Sequence, residues 1–336
     1  MKKYCIVLAI ICSMSFLFNN AAAQNNLYSF DTAISLPGDG GYDYLFIDQL
    51  SSKLYVSHGT AVNVIDLKTQ KLVGTISNML GVHGIAVVND LGKGFISDGK
   101  ANAVVVFDMN TYATITTIPL SGKKPDAIMY DAFSNQVFAF NGGSNNVSVI
   151  DVNTLKEKTT IALEGGPEFA VADGNGKIYN NLEDKNSMKV IDSKELKVIN
   201  TWPLSGCKAP SGLALDLINQ RLFTVGADSK TMSVVDAKSG KIIATLPIGS
   251  GVDAVTYDPE TKLILCSCGE GVVTIIKQET ADKYSIVQTL VTQKRARTMA
   301  LDTKTHNIYL SVADFVAGTR TPVAGSFKVL VYKLRR

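Results

Sequence analysis

Seven residues recur along the chain at intervals of roughly 40–44 positions: Asp43, His83, Asp126, Glu168, Ser211, Asp253 and Arg297. Each precedes a short apolar run, as in "DYLFID" (43–48), "HGIAVV" (83–88), "DAIMYD" (126–131) and "DAVTYD" (253–258). Polar side chains repeated beside apolar neighbours are candidates for one shared site. A second series stands about fifteen positions later in each repeat: His58, Asp98, Asn141, Leu182, Gly226, Cys268 and Val312. Two of the three histidines of the chain fall in these series. His58, His83, Asp43, Asp98 and Asp126 therefore have the types to converge on a metal, because imidazole and carboxylate ligands suit zinc or a similar divalent ion. The expected metal set is His58, His83 and Asp98. The same groups can serve as general acid and base where crowding separates their pKa values. No local ligand motif such as His-Glu-x-x-His accompanies them. The third histidine, His306, lies in a turn between strands and is expected to be exposed.

The elements that must position these residues are strands. After each apolar run comes a Gly/Asn/Asp/Lys turn and a second strand, such as "KLYVSH" (53–58), "NQVFAFN" (135–141) or "QRLFTVG" (220–226). A third strand of the type "VSVID" and a fourth of the type "KLVGTI" complete the repeat. Short strands, even spacing and no helical period predict an all-β array, and a period near 40 suits a four-stranded blade. Seven repeats predict a seven-bladed β-propeller of four-stranded antiparallel blades, one domain over 24–336. The chain ends on a third strand, "FKVLVYKLRR", while "LYSFDTAISL" (27–36) reads as an unused fourth strand near the start. Pairing 27–36 with the last blade would close the ring and remove an open edge.

In such a ring the first strands line a central channel. The loop entering each first strand and the turn after each second strand open on one face, so both series are expected at one channel mouth. The recurring Asp66, Asp108, Asp151, Asp192 and Asp236 have a structural reading instead. Each ends a third strand, where a carboxylate accepts hydrogen bonds from turn amides. Blade seven carries an additional loop, "ADFVAGTRTPVAGS" (313–326), expected on the face of the mouth and suited by its Gly, Pro and Thr content to act as a lid.

The opening "MKKYCIVLAIICSMSFLFNNAAAQ" has two lysines, an apolar run and small residues at Ala21 and Ala23. It reads as a signal peptide over 1–23, cut after Ala23, which predicts a soluble periplasmic or extracellular protein with no membrane span. The whole chain carries a formal net charge of +3, and removal of the leader takes away Lys2 and Lys3. A nearly neutral surface offers no broad footprint for nucleic acid. The basic residues Lys294, Arg295, Arg297, Lys333, Arg335 and Arg336 stand against an otherwise acidic mouth that repels phosphate. Cys207, Cys266 and Cys268 are too few for a disulfide framework, and buried reduced thiols are expected.

The segments "YVSH", "FISD" and "FAFN", each followed by a Gly-containing turn and "V-x-V-[IF]-D", resemble the YVTN-repeat β-propellers, in particular their YncE-like exported branch. Blades four, six and seven depart from the pattern with "YNNL" (179–182), "LCSC" (265–268) and "YLSV" (309–312). The resemblance implies a seven-bladed propeller acting outside the cytoplasm, and no single activity. From the residues, the preferred reading is a noncatalytic protein whose mouth binds a small polar ligand, a metal or a protein partner through Asp43, His83, Asp126, Asn141, Glu168, Ser211, Asp253 and Arg297. The alternative is a lyase or hydrolase acting on an exported polar substrate with His58 or His83 as metal ligand or general base, and nucleic-acid binding through the basic cluster ranks third.

Overall fold

The computed structural model describes residues 26–319 and 321–335. The leader expected over 1–23 lies outside the described residues, as does Arg336. The described chain forms seven four-stranded antiparallel sheets. Six of them use four consecutive strands; blade one, for example, runs Tyr42–Asp48, Lys53–His58, Ala61–Asp66 and Lys71–Ile76. The seventh combines Met299–Leu301, Ile308–Val312 and Lys328–Leu334 with the N-terminal strand Tyr28–Ser35. That strand pairs from Tyr28 opposite Leu334 to Ser35 opposite Lys328, the closure expected of 27–36. First strands of neighbouring blades pack side by side, including blade seven against blade one, so the ring is complete.

Burial follows the position of each strand within its blade. The second strand "QVFAFN" of blade three is buried at every residue, because both of its faces press against neighbouring blades. The fourth strand "KEKTTIA" faces solvent and is exposed at most positions. The core therefore lies between blades. One cluster joins Tyr55, Val64 and Ile76 of blade one with Val87, Ile96 and Phe107 of blade two. Removing any such side chain leaves a cavity shared by two blades.

The third-strand aspartates hold turns, as expected. Asp66 accepts from the amides of Lys68 and Thr69 at 3.0 and 2.9 Å, and Asp151 from those of Asn153 and Thr154 at 2.9 and 2.8 Å. Asp108, Asp192 and Asp236 repeat the arrangement. The aspartates that end first strands do the same at the next turn, as Asp48 does for Leu50 and Ser51. Amide donors and Thr hydroxyls favour the ionised form, which draws the Asp108 and Asp151 pKa values down.

His306 departs from expectation. It occupies a turn with φ of 62°, yet it is only 4% exposed. Its Nδ1 lies 2.7 Å from Oδ2 of the buried Asp258 in the neighbouring blade, and its backbone carbonyl accepts from the Tyr28 hydroxyl at 2.7 Å. An inward carboxylate with no competing solvent draws the ring into the seam between blades. The three thiols are free and buried. No helix among the described residues is long and apolar enough to cross a membrane.

Candidate functional site

The first strands start irregularly, and this irregularity builds the site. In six blades the pairing between first and second strands shifts register near the second residue, for example between Tyr42 and Leu45 and between Val82 and Ile85. Asp43, His83, Asp126, Glu168, Ser211 and Asp253 all fall in these bulges. A bulge turns a side chain out of the regular alternation, here toward the channel mouth.

Buried polar residues of the second strands pin the bulges. The Ser97 hydroxyl accepts from the Gly84 amide at 2.8 Å and donates to the Asp126 carbonyl of the next blade. Asn181 donates to the Ser211 carbonyl at 2.9 Å, Ser267 donates to the Arg297 carbonyl, and Ser57 accepts from the Asp43 amide at 3.0 Å. Blade-to-blade spacing at the mouth is thereby set, at three of the seams, by Ser97, Asn181 and Ser267 just before the end of their second strands. Gly84 is required by this closeness, since a Cβ there would sit 3.0 Å from the Asp126 carbonyl oxygen.

Six of the seven polar positions line one cavity of about 820 Å³: Asp43, Asp126, Glu168, Ser211, Asp253 and Arg297. His83 joins them through Asp43, with Nδ1 2.6 Å from Oδ2. The same nitrogen is 3.6 Å from Oδ1 of Asp126, an oxygen that is buried and has no hydrogen-bond partner. One ligand atom from each of Asp43, His83 and Asp126 lies within 4.8 Å of the others, the only such group of three among the described residues. Within the same cavity Arg297 Nη1 is 2.8 Å from Asp253 Oδ2.

Crowding shows in the protonation of these groups. Burial, then the charges of Asp126, Glu183, Asp253 and Asp43, push the Glu168 carboxyl up to about 9. Burial and Asp43 raise Asp126 to about 6, against a counter-effect of His83. Burial raises Asp253 to about 6 although Arg297 opposes it. For His83, burial alone would lower the pKa, but the hydrogen bond to Asp43 and the charges of Asp126 and Asp43 outweigh it, and the net direction is up. A cation placed among these carboxylates would relieve their repulsion.

The expected metal set of His58, His83 and Asp98 is not assembled; the ligand atoms that meet are those of Asp43, His83 and Asp126. His58 is 3% exposed and stacks on Phe327 with ring centroids 3.8 Å apart. Burial lowers its pKa. Asp98 accepts from the amides of Leu80 and Gly81, both at 2.8 Å, and so holds the loop into blade two. Asn141 is fully buried and donates to Asn146 and Ser148. The ends of the second strands thus lie beneath the mouth, where closing the loops occupies them.

Three lining residues were not singled out by sequence, Tyr42, Tyr44 and Glu183, and a fourth, Arg295, was named only in the basic cluster. Glu183 follows directly on Leu182, so the repeat pointed one position away from it. The loop over 313–326 contributes Phe315 and Pro322 to the cavity, on the face expected for it. Arg295 fixes it, with its guanidinium 3.8 Å above the Phe315 ring and 2.9 Å from the Thr319 carbonyl.

No family model matches the chain, and no curated protein matches it. Among solved structures, a chain of the "Crystal Structure of Mitotic Checkpoint Complex" is similar with a TM-score of 0.78 over 99% of both chains, at 13% identity. At that identity the likeness is one of fold, a seven-bladed propeller.

Proposed function

We propose that this chain is an exported binding propeller whose acidic mouth holds a cation, either a divalent metal at Asp43, His83 and Asp126 or the amine of a small zwitterionic ligand. The observation that carries the reading is the charge balance of the cavity. Asp43, Asp126, Asp253 and Glu183 share its wall with Glu168, which keeps its proton at neutral pH, while of the two lining arginines Arg297 is paired with Asp253 and Arg295 is held over the Phe315 ring. The His83 corner is left acidic, and its buried Asp126 Oδ1 lacks a partner. A metal there would take Nδ1 of His83 and two carboxylate oxygens, and three protein ligands leave a position open toward the cavity. Such binding would displace the proton shared by His83 and Asp43. Ser211 and Arg297 remain to orient a hydroxyl or carboxylate on the ligand. The YVTN-repeat resemblance and the signal-like leader support an extracytoplasmic setting.

A catalytic reading has two observations in its favour. The Asp43–His83 pair has the arrangement of an oriented general base, and Glu168, held protonated at neutral pH, has that of a general acid. Lyase or hydrolase chemistry on a polar substrate would use them in those roles. Thermal-shift screening of divalent metals and polar metabolites tests the site, and product analysis of any ligand that binds separates catalysis from binding. Stabilisation should fall with His83→Ala, Asp126→Ala or Arg297→Ala and persist with Asp151→Ala in the remote turn. A ligand whose effect survives all three mouth substitutions would place the site elsewhere.

A further inference from the structure

Tyr44 lines the acidic cavity on one side and, on the other, a second cavity of about 480 Å³ in the far half of the channel. First strands of blades one to four build its wall, with Leu215 and Leu217 of blade five. Among the described residues every lining side chain is aliphatic, aromatic or absent, and none carries a charge. The rings of Tyr44 and Phe169 close the inner end with centroids 5.5 Å apart, and Phe46 and Tyr130 add aromatic surface to the wall. Small residues keep the space open: Ala86, Ala127, Ala170 and Ala172 stand where larger side chains would fill it. At the outer end Leu217 is 54% exposed, and Leu50, Phe133 and Ile218 are exposed in the turns that join first to second strands on the same face. Such turns ordinarily carry small or polar residues.

We propose that the far end of the channel is a binding site for an uncharged aromatic ring compound, separate from the acidic mouth. Its volume lies within the range of small-molecule sites. Four consecutive lining residues, Phe169–Ala172, give a slot about 10 Å deep at the rise of a strand, which suits two fused rings end-on. The lining has no group to balance a charge, so an ionised ligand would be desolvated without compensation. The aromatic floor favours a ring over a hydrocarbon chain, because offset and edge-to-face contacts add to area burial. Leu217 and the apolar turn tips provide a matching entrance.

The probe is 2-naphthol, titrated by calorimetry into the protein of residues 24–336. One site per chain is expected, with 2-naphthoate weaker by about tenfold or more, and 1-octanol also weaker. Ala172→Phe should abolish binding by filling the slot, and Phe169→Leu should weaken it severalfold while keeping the lining apolar. Circular dichroism and melting establish that each variant is folded; if Ala172→Phe does not fold, Phe169→Leu decides. Absence of binding at millimolar 2-naphthol, equal affinity for the anion, tighter binding of octanol, or indifference of a folded variant would each overturn the proposal. Because mouth substitutions leave this cavity intact, 2-naphthol should bind His83→Ala like the wild type.

Discussion

Glu168→Gln should make the protein more stable, and increasingly so as pH rises. The Glu168 carboxyl is held near 9 by burial and by Asp126, Glu183, Asp253 and Asp43, against an ordinary value of 4.5. Between those two values the native state keeps a proton that the unfolded chain releases. The unfolded state then binds fewer protons, so stability falls with rising pH through this window and levels off above 9. At pH 7 the gap of two and a half units corresponds to about 3 kcal/mol, reduced to about 2 kcal/mol by water in the open cavity. Glutamine has the same shape and no charge. Its variant should therefore gain about 2 kcal/mol at pH 7, or a melting temperature higher by about 4 °C, and little at pH 5. Asp126 and Asp253, raised to about 6, act in the same direction over a lower window, and the Gln variant leaves them in place. Urea unfolding of both proteins at pH 5, 7 and 8 measures the difference. A Gln variant no more stable than wild type at pH 8, or a gap that does not shrink toward pH 5, would refute the crowding argument.

Other consequences can be tested on the same protein. Deleting residues 24–36 should lower the single unfolding transition of the whole domain, since Tyr28 alone ties Gln288 and His306 to the closing strand; melting like the protein of residues 24–336 would contradict ring closure. Ser97→Ala should cost about 1–3 kcal/mol by orphaning buried partners and should also weaken cation binding at His83, whereas Asp151→Ala should cost about 1 kcal/mol and leave binding intact. Cys266 and Cys268, buried and with thiol pKa values pushed up by burial, should react with Ellman's reagent only on unfolding; fast labelling of the native protein would contradict their burial.

The fold was legible because each repeat carries its whole instruction locally: an alternating or continuous apolar run, an aspartate at the strand end, and a turn. The polar mouth was legible for the same reason, since Asp43, Asp126, Glu168, Ser211, Asp253 and Arg297 occupy equivalent positions and ring symmetry brings equivalent positions together. What the repeat does not encode is the detail of contact between unlike residues. His58 and His83 belong to two different series expected at one mouth, yet Phe327 of the last blade covers His58, while a bulge turns His83 toward Asp43. His306 sits in a turn like its counterparts, but the partner that draws it inward, Asp258, belongs to another blade. The apolar half of the channel left no trace as a motif. Its alanines and aromatics become a cavity only when five blades are set around one axis.

The central claim is that the His83 corner of the mouth seats a cation, and calorimetric titration of the protein of residues 24–336 with Zn²⁺ at pH 7.5 and pH 5.5 tests it most directly. One Zn²⁺ per chain should bind at pH 7.5. Affinity should drop at pH 5.5, because His83 and Asp126, both with raised pKa values, hold protons that the metal must displace. His83→Gln and Asp126→Asn should each abolish the site while Asp151→Ala retains it. Stoichiometric binding that persists in both mouth variants would contradict the account, and no binding by the wild type at either pH would remove the metal and leave only an amine as the cation.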